Sequence, residues 1–145
     1  MRITPLALAS LSLLALSACA PATDDGEKVT ISWGIDNEKT DDTGRTTADV
    51  SFVVTKDDGK VHTLPIGRYA GCGEQTAPED GPLLTLKCWW AGGGDDFEVR
   101  MDATNVLAID HRSVDEEAPI PEFTTLRTVA LEDGVTIVPV AMKGL

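Results

Sequence analysis

Apolar and polar residues alternate one by one through most of this chain, and Gly, Pro and Asp interrupt the alternation at short intervals. That pattern fits strands joined by tight turns, and no stretch after residue 27 carries a helical stripe of useful length. Val29, Ile31, Trp33 and Ile35 alternate with Thr30, Ser32 and Gly34; Val50, Phe52 and Val54 alternate with Ser51, Val53 and Thr55. Lys56-Asp57-Asp58-Gly59-Lys60 then supplies an Asp-Gly turn into Val61–Leu64, a strong hairpin signal. Leu83–Ala91 reads as the next strand, turned by Gly92-Gly93-Gly94-Asp95-Asp96 into Phe97–Ala103. Asn105–Ser113, Phe123–Leu131 and Val135–Val140 follow, with Asp133-Gly134 as a further hairpin turn. The expectation is a single all-β domain over residues 28–145, an antiparallel β-sandwich or small β-barrel of about eight strands.

The amino terminus follows a different logic. Met1–Ala18 carries one charge, Arg2, then a Leu/Ala/Ser run that ends in small residues, the build of a secretory signal. The apolar run is too short and too abruptly ended to span a bilayer comfortably. Leu16-Ser17-Ala18-Cys19 resembles the lipobox of bacterial lipoproteins, in which a Leu, two small residues and an obligatory Cys close the signal. The resemblance covers the export segment alone. It implies cleavage before Cys19, diacylglycerol on its sulfur and a third acyl chain on the new amino terminus, enough for permanent membrane attachment. Ala20 stands where an Asp would signal retention in the inner membrane, so the resemblance points to the outer membrane. Residues 19–27 then form a lipidated Cys and a polar tether, whose last eight residues span at most about 28 Å.

With Cys19 lipidated, Cys72 and Cys88 remain as an even pair in an oxidising compartment. A bridge closing a loop of that size contributes about 3 kcal/mol in the chain-entropy picture. The alternative, two ligands of a metal, lacks partners: neither His62 nor His111 lies near them in the sequence, and no Cys-x-x-Cys occurs. No metal and no cofactor is expected.

Strand parity singles out the two adjacent tryptophans. On Leu83–Ala91, Leu84, Leu86, Cys88 and Trp90 fall on one face, and Leu83, Thr85, Lys87 and Trp89 on the other. The face with Lys87 is the outward one, which leaves Trp89 partly exposed. Trp89 is either an anchor for a protein or glycan or lies beneath a loop or a cross-strand neighbour. A second patch is Pro65–Gly73, whose proline and glycines argue against a regular strand throughout. Its Arg68 and Tyr69 form either a binding loop pinned by Cys72 or a plain connection whose tyrosine covers the disulfide.

Composition restricts function more than motifs reveal it. Twelve basic residues against 24 acidic ones give a net charge of −12, the opposite of a nucleic-acid footprint. The chain has no Gly-x-Ser-x-Gly elbow, His-Glu-x-x-His helix, phosphate loop or dinucleotide fingerprint. His111 follows Asp110 along a strand, so the two face opposite sides and make no simple dyad. Asp36–Gly44 lacks the spacing of a calcium loop. The expected role is non-catalytic: a membrane-anchored envelope lipoprotein that binds a basic envelope or exogenous protein, as acidic lysozyme-inhibiting lipoproteins do by analogy. A structural or accessory subunit of an envelope assembly is the alternative, and an enzyme acting on envelope glycans the weaker third.

Overall fold

The structure, a computed structural model, describes residues 26–142; the signal, Cys19 and most of the tether lie outside them. The described residues form nine strands: β1 Lys28–Thr40, β2 Thr46–Lys56, β3 Val61–Ala70, β4 Cys72–Thr76, β5 Leu84–Trp89, β6 Gly93–Met101, β7 Val106–Asp115, β8 Thr124–Ala130 and β9 Thr136–Pro139. They make two sheets that stack as a sandwich, one in the order β3-β2-β1-β9 and one in the order β4-β5-β6-β7-β8.

Every large core side chain follows the alternation. Val29, Ile31 and Trp33 from β1, Val50 and Phe52 from β2, Leu84 and Leu86 from β5, Phe97 and Val99 from β6, and Leu107 and Ile109 from β7 are buried between the sheets. Trp33 is the central plug. Its ring lies 5.6 Å from Phe52 in its own sheet and 5.8 Å from Phe97 across the sandwich.

The turns are written in Asp and Gly. At Lys56–Lys60 the Gly59 amide donates to the Lys56 carbonyl and Lys56 to the Lys60 carbonyl, both at 2.9 Å, with Gly59 in the left-handed region at φ 81°. That is a three-residue hairpin loop of the type I plus bulge kind. Asp41 between β1 and β2, and Asp102 between β6 and β7, accept hydrogen bonds from backbone amides two and four residues on. The acidic doublets that crowd the sequence thus serve in part as turn locks.

Four sequence expectations are corrected. Pro65–Gly73 is strand on both sides of Gly71. Pro65 is tolerated because β3 is an edge strand, and a bulge opposite Val50/Ser51 absorbs Ile66. The chain then crosses between sheets at Gly71 into β4, the ninth strand. Gly93–Asp96 belongs to β6, and the turn before it shrinks to Ala91-Gly92, both at positive φ, closed by the Trp90 amide on the Gly93 carbonyl at 2.8 Å. Asp133-Gly134 makes no hairpin, because it carries the chain from the β8 sheet to the other one. There β9 pairs with β1 in parallel, an exception in an otherwise antiparallel fold.

Candidate functional site

The sandwich has two unlike ends. The chain enters at one, where the β2–β3 turn and the β8–β9 connection lie. The other gathers the β1–β2 turn, Gly71 and the β5–β6 turn: the Gly71 amide donates to Thr46 O at 2.9 Å, and the Trp89 amide to Gly71 O at 3.2 Å. In the sheet that carries the tryptophans, the nine residues of β6 separate the two ends by about 30 Å.

Cys72 and Cys88 stand directly opposite each other on β4 and β5 and are joined by a disulfide. The bridge ties the sheet-switching segment to the strand that carries the tryptophans. Trp89, on the outward face, is half-buried; its Nε1–H donates to Asp96 Oδ1 at 2.7 Å, and the Lys87 ammonium lies 5.7 Å from its ring. Trp90 follows the parity toward the inner side, but the strand has run out, and the indole is 42% exposed at the rim.

Asp96 is the hub of the outward face. It also accepts from Arg112 Nε at 3.0 Å, while the Arg112 guanidinium stacks 4.3 Å from the Phe123 ring. Register places Glu74, Lys87, Asp96 and Arg112 opposite one another across β4, β5, β6 and β7, a row of alternating charge whose neighbours are complementary.

A cleft of about 270 Å³ lies between the sheets at this same end, lined by Arg45, Arg68, Tyr69, Trp90 and Asp95 with Cys88 beneath. Arg68 is pinned: its guanidinium donates to Asp49 Oδ1 at 2.7 Å, to Thr47 and to the Asn37 carbonyl. The Tyr69 ring packs edge-on against Phe97 at 4.9 Å. Burial, with the Asp95 carboxylate nearby, raises the Tyr69 phenol above its ordinary value. His111 Nε2 lies 2.7 Å from Asp95 Oδ1, and its ring is 4.9 Å from Phe97.

The four partner-binding residues taken from the sequence are therefore divided between two surfaces. Lys87 and Trp89 belong to the outward face of the β4–β8 sheet, and Arg68 and Tyr69 to the cleft. Nothing in the sequence alone marks Trp90, Arg45, Asp95 or His111 as a binding residue. Parity assigned Trp90 to the core, and the Asp95–His111 pair depends on the register between β6 and β7, which the sequence does not display. Asp110, the sequence neighbour of His111, faces outward as parity demands and accepts from Thr125 at 2.7 Å. Among the described residues no hydroxyl or thiol hydrogen-bonds to the His111 ring, and no three His, Cys, Asp or Glu side chains converge on one point. The arrangement offers an exposed indole, a rim on which Arg45 and Arg68 stand beside the carboxylates of Asp49 and Asp95, and an anchored imidazole, which suits docking a polar or charged side chain.

Against known proteins the chain stands apart: no protein family, no curated protein and no solved structure matches it. What is defined is a class, a two-sheet β-sandwich with one disulfide.

Proposed function

We propose that this protein is a lipid-anchored envelope protein that binds a basic partner protein without chemistry of its own. Cys19 is the anchor, the outer membrane the location, and the end of the sandwich remote from the tether the binding surface. One observation carries the reading: an exposed Trp90 beside a half-buried Trp89, held on a disulfide-braced rim at the end facing away from the point where the chain enters. Exposed indoles at a rigid rim are typical anchors of protein interfaces, and a net charge of −12 steers cationic partners toward the molecule.

The test is capture from envelope extract with wild-type, Trp89→Ala and Trp90→Ala baits, each checked first for a cooperative melting transition. The expected result is a basic protein retained by the wild type, lost with Trp90→Ala and released by a high-salt wash. A partner held equally by all three baits would move the interface elsewhere. Co-purification with a membrane complex independent of salt would favour the accessory-subunit reading instead.

A further inference from the structure

We propose that the cavity at the end where the chain enters holds one of the acyl chains carried by Cys19, an inference that rests on the lipidation proposed above. The cavity measures about 440 Å³, within the range of sites that take small apolar ligands. Val29, Phe52 and Val54 form its floor, and Leu64, Val129 and Leu131 line its sides. It opens between the β2–β3 hairpin and the segment leading from β8 to β9.

Its position relative to the chain is what selects the occupant. Gly26 packs so closely on Gly134 that a Cβ there would collide with the Gly134 carbonyl oxygen, and Thr136 N donates to Glu27 O at 2.9 Å. The end of the tether is thus clamped to the segment that walls the cavity. Six residues separate Cys19 from Gly26, a reach of at most about 25 Å, so the acyl groups on Cys19 begin within that distance of Gly26, which packs beside the cavity wall.

The charges at the mouth narrow the chemistry. Lys56 Nζ sits between Glu27 at 3.8 Å and Glu132 at 3.6 Å, which leaves two carboxylates to one ammonium, with His62 beside them. A free fatty-acid carboxylate or a lipid phosphate entering there meets a net negative rim. An acyl chain held in amide or ester linkage brings no charge and meets no such opposition. With one chain sheltered, the other two still hold the protein to the membrane.

Photocrosslinking tests this on the full-length protein. Cells are fed a fatty acid bearing a diazirine near its end, the protein is purified in detergent and irradiated, and its peptides are mapped by mass spectrometry. The expected product joins the acylated Cys19 peptide to peptides containing Val54, Leu64 or Leu131 of the same chain. Leu131→Asp, which puts a charge in the apolar wall, lowers that yield about tenfold; Val129→Trp, which fills the space, serves if the first variant does not fold. Acylated Cys19 without these crosslinks overturns the proposal, as do cavity crosslinks to phospholipid instead of Cys19. An unmodified Cys19 is a different failure: it removes the anchor itself and, with it, the occupant.

Discussion

Asp96 shows how much one side chain can organise on a face that the sequence presents as merely polar. Its carboxylate, almost wholly buried, accepts from Trp89 and from Arg112. Truncation would strand two donors, so Asp96→Ala is expected to cost about 2 kcal/mol or more in urea denaturation, and Asp96→Asn clearly less. Loss of near-ultraviolet signal from Trp89 should accompany the first change. Trp33 shows the opposite economy. Its indole N–H has no partner in the described structure, a penalty of about 1–3 kcal/mol. Trp33→Phe removes that orphan along with some packing and should therefore destabilise less than Phe52→Ala, expected at about 3–5 kcal/mol. Equal losses in the two variants would show that the orphan contributes nothing.

The turn aspartates make a separate prediction about pH. Hydrogen bonds from Thr43 to Asp41, from Lys60 to Asp58 and from Thr104 to Asp102 hold these carboxyls below the ordinary value of 3.8. A carboxyl depressed on folding stabilises the native state above its unfolded pKa, and that contribution disappears as pH falls through the folded value. The melting temperature should therefore be flat above about pH 5 and fall below about pH 4. Asp102→Asn should lower the plateau and flatten the acid limb; an unchanged limb would assign the acid sensitivity elsewhere.

At the scale of elements, the crossing between the sheets is the tightest point. Gly71 has φ 67°, and a Cβ there would run into the Trp89 carbonyl oxygen. Gly59 has a similar φ of 81° with open space around it. Gly59→Ala should thus cost only the backbone strain, about 1 kcal/mol, while Gly71→Ala should cost distinctly more and disturb the Trp89–Trp90 rim. Similar melting temperatures for the two would deny the crossing its structural role. The exposed edges are protected in turn: Pro65 interrupts β3, and Arg127 on β8 stands opposite the buried Ile109, an inward-facing charge that discourages pairing with another chain. Between β4 and β5 the disulfide adds covalent support, and removing it should cost about 2–4 kcal/mol.

For the molecule as a whole, polarity along the long axis matters more than any single site. An apolar cavity lies at the end where the described chain begins, and an aromatic, charged rim lies at the opposite end. With net charge −12, self-repulsion opposes compaction. Raising salt should accordingly raise the melting temperature slightly while weakening capture of the basic partner proposed above. The all-β class, the core faces of β1, β2 and β5 and the disulfide pair follow from local chemistry: alternation with period two, Asp-Gly turns and an even cysteine count after Cys19. These are properties of neighbours in the chain, and the sequence determines them by itself. The parallel β1–β9 pair, the sheet change at Gly71, the pairing of Asp95 with His111 and the exposure of Trp90 were decided by the tertiary structure. Each depends on which strands lie side by side, in what register and where a strand stops, and those choices are settled by how two sheets bury one core.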